Sequence, residues 1–269
     1  MNEYKKILDK IAYSPSSLNQ YDECPYAFFM NKIQMIRGDG NAYAEIGSFG
    51  HQLCENYLKD KATLEEVLID CIENFDDHVT YEITDSSKEK KYMALCEFLS
   101  GFDEEEFNET YEILAVEKRF HWKIGKHKMV GIADLILRRK SDDKIILVDH
   151  KSSDHFLKKN GEVLKAKEDV YRKYVRQMYI YADAMKHSDD FGFFPDYIVW
   201  NHFLDEGRLT VVPFDKEVYD ESIQWVLDTI QKIYKDTEFL PHMSYVMCNQ
   251  LCNYRDGYCE YMLIEDEEE

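Results

Sequence analysis

The stretch VGIADLILRRKSDDKIILVDHK, residues 130–151, decides the fold. Lys128 to Arg139 alternates in side-chain character and is rich in strand formers, and Lys144-Ile145-Ile146-Leu147-Val148 is a short apolar run. Ser141-Asp142-Asp143 is a polar turn between them, so the two runs read as a hairpin or meander. Each strand carries a carboxylate. Asp134 follows Gly131-Ile132-Ala133, and Asp149 ends the apolar run. Asp149 and Lys151 are two apart and share one face of an extended chain. Asp134 can approach Asp149 across the ladder. Two close carboxylates repel unless a proton or a cation sits between them. A hard divalent cation such as Mg2+ or Mn2+ prefers such oxygens. A lysine beside them can orient or deprotonate a water and stabilise negative charge as it develops. Taken alone, Asp149-x-Lys151 is an ordinary strand end with a surface ion pair; Asp134 on the next strand is what favours chemistry.

Working outward, Tyr111 to Trp122 is a further strand with alternating character. Upstream the chain is helical. Ser14-Pro15-Ser16-Ser17 reads as a helix start, with the helix running through Leu18, Tyr21 and Cys24. Pro25 interrupts it and Tyr26-Ala27-Phe28-Phe29-Met30 resumes. A helix from about Phe49 to Leu58 is expected to open at Gly47-Ser48-Phe49-Gly50-His51, followed by helices over Thr63 to Phe75 and Ser87 to Leu99. Downstream come a Lys-rich stretch, Asp154 to Glu168, and a long helix from about Val170 to Met185. Strands at Tyr197 to Trp200 and Leu209 to Val212 and an amphipathic helix from Glu217 to Tyr234 follow. The order predicts an α/β fold with a mixed central sheet flanked by helices and a helical N-terminal elaboration. One domain over residues 1–264 is expected: a helical part, about 1–110, a core, about 111–235, and a Cys-rich segment, 241–262. The acidic residues 265–269 read as a solvated tail.

The 269 residues include 45% hydrophobic and 14% aromatic residues, enough to bury a core and to exclude wholesale disorder. With 33 Lys and Arg against 53 Asp and Glu, the net charge is -20. That field attracts metal cations and repels a polyanion, so nucleic acid needs a local basic groove. No stretch holds the ~18 consecutive apolar residues of a membrane helix. Met1-Asn2-Glu3-Tyr4-Lys5-Lys6 has no apolar run behind its lysines, so no signal peptide is read and a cytoplasmic location is expected. Seven cysteines are an odd count, which argues against a disulfide framework. No G-x-x-x-x-G-K-[ST] stretch occurs, so no helicase motor is expected.

The pattern resembles the RecB-like branch of the PD-(D/E)XK nuclease superfamily. That branch includes the nuclease domains of AddB and RecB, CRISPR-associated RecB-like adaptation nucleases and phage exonucleases. Gly131-Ile132-Ala133-Asp134 resembles its GxxD motif and Asp149-His150-Lys151 its (D/E)xK motif. Ser14-Pro15-Ser16-Ser17-Leu18 with Cys24-Pro25 resembles its opening element, Gly47 to His51 its GxxxH motif, and Gln177 to Tyr181 its QxxxY motif. The resemblance spans Ser14 to Cys259. It implies a restriction-endonuclease-like core and a Mg2+- or Mn2+-dependent DNA exonuclease acting on ends or single strands. Water attacks phosphorus and leaves a 5′-phosphate and a 3′-hydroxyl. By the same resemblance Asp134 and Asp149 ligate the metal, with His51 as a third ligand and the His150 backbone carbonyl as a fourth. Lys151 handles the water, and Gln177 and Tyr181 contact the DNA strand or brace Lys151. Glu117, on the preceding strand, is a candidate for a supporting role. The implied setting is a bacterial or phage-infected cell, with recombination, replication or CRISPR-adaptation proteins as partners. Two alternatives stand beside this: a noncatalytic nuclease-fold protein that binds a partner or mimics DNA, and an RNA-processing nuclease.

Cys248-x3-Cys252-x6-Cys259 is a set of soft metal ligands lacking a fourth member, which Cys24 can supply. In the RecB-like branch a Cys before Pro and three near the C-terminus bind a 4Fe-4S cluster that clips the two ends together. Both gaps here are one residue longer than the family's commonest spacing. Zinc and plain free thiols are the competing readings. Cys54, Cys71 and Cys96 fall in helical patterns and read as small buried residues. Lys158, Lys159, Lys165, Lys167, Arg172, Lys173 and Arg176 make a local basic stretch between the Asp149/Lys151 site and Gln177, a candidate DNA-binding strip, with Lys118 and Arg119 as further contacts. The competing reading of this strip is a solvated helix face.

Overall fold

The computed structural model describes residues 3–158, 161–243, 248, 252–255 and 257–261. In chain order the elements begin with α1 (Lys5–Leu8), α2 (Pro15–Glu23) and α3 (Pro25–Phe28), which runs into a π-helical turn at Phe29–Ile33. Next are α4 (Ala42–Leu58), α5 (Leu64–His78), α6 (Asp85–Ser100) and α7 (Glu104–Thr110). Then come β1 (Tyr111–Ile124), β2 (His127–Arg139), β3 (Lys144–Lys151), α8 (Glu168–Lys186), β4 (Tyr197–His202), β5 (Arg208–Pro213) and α9 (Lys216–Lys235).

The strands form one mixed five-stranded sheet in the order β1-β2-β3-β4-β5. β2 and β3 are antiparallel, as their polar turn predicts, and so are β4 and β5. β3 and β4 are parallel, which requires a long crossover, and α8 supplies it. β3 is buried from Ile145 to His150, as befits a strand covered on both faces.

The helix starts follow from side-chain capping. Ser14 and Ser17 exchange side-chain and backbone bonds at the start of α2, with Pro15 in its first turn. Thr63 and Glu66 do the same for α5. α4 departs from expectation. It starts at Ala42, a full turn before the expected opening glycines, so Gly47 and Gly50 lie inside the helix. They serve packing. A Cβ on Gly47 would stand 3.2 Å from Ser152 Oγ, and one on Gly50 would stand 2.4 Å from the Phe203 ring. The short helices α1 and α7 carry too few residues for periodicity to announce them.

The chain divides into two compact units. The first holds residues 1–41, 123–129 and 223–269; the second holds 42–122 and 130–222. The expected helical part, 1–110, is thus split near residue 41. In the first unit Phe239 packs among Tyr4, Tyr21, Phe28 and Phe29, and Tyr21 donates a hydrogen bond to Asp236 Oδ2 at 2.9 Å. In the second, one core cluster joins α4, α5 and α6 through Leu53, Cys71, Phe75 and Leu95. Another lies on a sheet face, through Leu135, Leu137, Val148 and Val199. Cys71 and Cys54 are buried as expected, and Cys96 is half-buried. No helix among the described residues is long and apolar enough to cross a membrane.

β1 changes sidedness along its length. Val116 packs with the Leu135 and Leu137 face, whereas Trp122, of the same parity, reaches Asp183 on α8. Glu117 has φ of 49°, a left-handed backbone inside a strand. One such residue inverts the period-2 alternation and bends the strand, as a bulge does. Bulges recur at sheet edges and beside active sites, and Glu117 lies on an edge strand.

Candidate active site

The β2–β3 ladder runs to the pair Leu135 and Val148, which leaves Asp134 and Asp149 next in line on the two strands. Asp134 Oδ2 accepts the backbone N–H of His150 at 2.8 Å. His51, reaching from α4, places Nδ1 3.4 Å from Asp134 Oδ2. His51, Glu117 and Asp134 each offer one ligand atom, and these atoms lie within 4.8 Å of one another. That donor set, one imidazole and two carboxylates, fits a divalent cation. Glu117, at the left-handed position of β1, joins this group from the edge strand.

Asp149 lies beside that group. Its carboxylate is 2.6 Å from Lys151 Nζ, so the i, i+2 pair shares a face as predicted. Burial raises the Asp149 pKa; Asp134 raises it further, and Lys151 opposes both. Burial alone would lower the Lys151 pKa, but the charge interactions with Asp149 and then with the Tyr174 hydroxyl group reverse that, and the ammonium is held above its ordinary value. Glu117 is raised by burial and then by Asp134. Glu117 and Asp149, both beside Asp134, therefore hold protons more tightly than free carboxylates do. That is the electrostatic signature of a site that a cation would relieve. Burial pushes the His150 imidazole down to about 3, so its ring is neutral; it contributes a backbone rather than a charge.

α8 closes the site. Its second half, Met178 to Met185, is buried without interruption, while Tyr174 and Gln177 lie half-buried just before it. Lys151 Nζ donates to Gln177 Oε1 at 3.1 Å, and Gln177 Nε2 donates to the Tyr181 hydroxyl at 3.2 Å. The i, i+4 spacing of Gln177 and Tyr181 thus makes a chain of bonds ending on the lysine.

A sequence model of the PD-(D/E)XK nuclease superfamily matches residues 12–261. The chain belongs to that superfamily. Among solved structures 21 chains match. One is the crystal structure of a Eubacterium rectale protein described as a candidate exonuclease, with a TM-score of 0.52 and 13% identity. The likeness covers 94% of this chain and 89% of that one, and it bears on the fold. No curated protein sequence matches. The mixed five-stranded sheet flanked by helices is the restriction-endonuclease-like α/β fold of the superfamily, whose members use divalent metals.

All the motif residues in β2, β3, α4 and α8 converge: His51, Asp134, Asp149, Lys151, Gln177 and Tyr181. Glu117, expected in a supporting position, stands within the His51 and Asp134 group itself. The signal that could have found it is the slip in apolar alternation around Val116-Glu117. The basic strip is partly self-neutralised. Lys158 pairs with Glu162, Lys167 with Asp154 and Arg172 with Asp169. Lys118 pairs with Asp190. Lys159 and the acidic tail lie outside the described residues.

Cys24, Cys248, Cys252 and Cys259 belong to the first unit. Cys24 sits between α2 and α3. The described parts of the C-terminal segment pack against residues 23–38. Tyr254 OH donates to Ile36 O at 3.2 Å, Tyr26 OH donates to Glu260 at 3.2 Å, and a Cβ on Gly38 would stand 2.1 Å from Asn253 O. Burial raises the Cys252 and Cys259 thiols, and Cys24 and Cys248 add to both. Among the described residues no three of these sulfurs lie within 4.8 Å of one another.

Proposed function

We propose that this chain is a divalent-metal-dependent DNA nuclease of the RecB-like branch, hydrolysing phosphodiester bonds at DNA ends or in single strands. The observation that carries the reading is the ligand group of His51, Glu117 and Asp134 beside the Asp149–Lys151 pair. His51, Asp134 and Asp149 would hold Mg2+ or Mn2+ with the His150 carbonyl, and Glu117 would join them. Bound there, the metal would polarise a phosphoryl oxygen and lower the pKa of a bound water.

The chain's own groups do the rest. Lys151 orients the attacking water and stabilises charge on the phosphate. Gln177 fixes the lysine, and Tyr181 fixes Gln177. Water adds to phosphorus, the bond to the 3′ oxygen breaks, and that oxygen leaves with a proton to give a 3′-hydroxyl and a 5′-phosphate. Phage recombination or replication and CRISPR adaptation are settings this chemistry suits. The intact acidic pair and lysine count against a silent, DNA-mimicking protein.

The thiols of Cys24, Cys248, Cys252 and Cys259 would hold a 4Fe-4S cluster. Four sulfurs about 2.3 Å from one zinc stand about 3.8 Å apart. A 4Fe-4S cluster also takes four thiolates, and zinc is the competing occupant. The cluster's role would be to fasten residues 23–38 to the C-terminal segment.

The test compares end-labelled DNA and RNA of the same sequence, with Mn2+ or Mg2+ and with Lys151→Ala as control. Loss of DNA that is absent in the variant supports the proposal. Faster loss of RNA would transfer it to RNA processing, and equal loss in the variant would remove Lys151 from the chemistry.

A further inference from the structure

The Lys151 ammonium has a third neighbour that the motifs do not supply. Besides Asp149 at 2.6 Å and Gln177 at 3.1 Å, it lies 4.3 Å from the ring centroid of Tyr174. Tyr174 is three residues before Gln177 on α8, so both face the lysine from one side of the helix. The ring is itself held. Phe156, fully buried, meets it at 5.4 Å with the planes at 58°, and Phe156 in turn meets the buried Trp200 at 5.7 Å. Tyr174 is therefore the open end of a packed aromatic row.

A lysine on four methylenes is a flexible point charge. In the structure Asp149 is its strongest anchor. In the proposed reaction Asp149 would give its oxygens to a divalent metal, and the ammonium would lose that carboxylate's attraction. What then holds Lys151 must be groups that attract a cation and leave the metal alone. The amide oxygen of Gln177 is one, and the π-face of Tyr174 is the other. A ring does this without adding a fourth carboxylate to a site that already holds three.

We infer that Tyr174 is a positioning residue for Lys151, holding the ammonium over its ring in the metal-loaded site. The inference rests on the nuclease reading and deepens it. A cation–π contact in a partly desolvated site is worth about tenfold in rate if it is kept in the transition state.

The experiment replaces Tyr174 by Phe, by Leu and by 3,4,5-trifluorophenylalanine, whose ring has the shape of Phe but a drained π-face. Steady-state cleavage of single-stranded DNA is followed with saturating Mn2+, and each protein is checked by thermal melting. Wild-type cleavage comes first; if it is absent, the nuclease reading fails and Tyr174 is not in question. Given wild-type cleavage, Tyr174→Phe is expected within about threefold of wild-type kcat. Tyr174→Leu and the fluorinated ring are expected to lose about tenfold, with KM and the Mn2+ midpoint within about twofold. Two outcomes would overturn the inference. One is equal kcat for the Phe and trifluoro-Phe proteins, which share a fold and differ in the ring's electrons. The other is a rise in KM at constant kcat, which would make Tyr174 a substrate contact.

Discussion

The Cβ that Gly131 lacks would stand 2.6 Å from Cε1 of Tyr181 and 3.1 Å from its Cδ1. Two motifs 50 residues apart thus explain each other. The glycine of β2 leaves the room that one edge of the α8 tyrosine ring occupies, and Trp122 closes the same space at 3.5 Å. The contact seats the helix that carries Gln177 and Tyr174. Gly131→Ala forces that helix outward. It is expected to cost about 1–3 kcal/mol, as overpacking does, and to reduce cleavage. Combining it with Tyr181→Leu makes room, so the double variant is expected to be more stable than the sum of the single losses allows. Additive losses in urea unfolding would show that the two residues do not share this space.

Lys151→Ala leaves Asp149 buried without its counter-charge. Removing one partner of a buried pair costs about 3–5 kcal/mol. The metal-free variant is therefore expected to unfold at lower urea than wild type. Mn2+ is expected to restore much of the difference, because it neutralises the same carboxylate. Cleavage is expected to fall by at least about 100-fold even with metal bound. An unchanged urea midpoint in the metal-free variant would contradict the ion pair.

Much of this was legible in the sequence because its signals are local. The alternation of residues 128–139 and the apolar run of residues 144–148 gave two strands, and the i, i+2 spacing put Asp149 and Lys151 on one face. What was not legible depends on distant residues. Gly47 and Gly50 look like a helix opening until Ser152 and Phe203 are seen against them. Glu117 looks like a solvated strand residue because a left-handed backbone angle leaves little mark on composition. Tyr174 and Lys151 are 23 residues apart, and no periodicity links a strand end to a helix across a loop.

Glu117 and Asp149 are both raised, by burial and by Asp134. A raised carboxyl binds its proton more tightly folded than unfolded. Its charged form therefore works against folding above the raised folded value, and that cost fades as pH falls through it. Without divalent metal, Glu117→Gln is expected to melt higher than wild type at neutral pH and to lose that advantage in acid. Mn2+ is expected to stabilise wild type more than the variant. Melting curves at several pH values, with EDTA and with Mn2+, test both statements; an equal Mn2+ shift in the two proteins would remove Glu117 from the ligand group.

The cysteine reading gives a colour. Protein purified without air is expected to be brown, with broad absorbance near ~400 nm, and to hold about four irons per chain. Cys252→Ser is expected to lose the colour and to be cut by protease within residues 240–261 sooner than wild type. Colourless protein with one zinc per chain would replace the cluster by a zinc site.

The central claim is that Asp134, Asp149 and Lys151 cut DNA with a divalent metal, and that the substrate must offer an end or a single strand. The most direct measurement incubates the metal-loaded protein with linear duplex, single-stranded DNA and a covalently closed circle, alongside Asp149→Ala. The expected result is loss of linear or single-stranded DNA, an intact circle, and no loss of any substrate with the variant. Cleavage of the circle would contradict the requirement for ends. No cleavage by wild type, or equal cleavage by Asp149→Ala, would contradict the nuclease assignment itself.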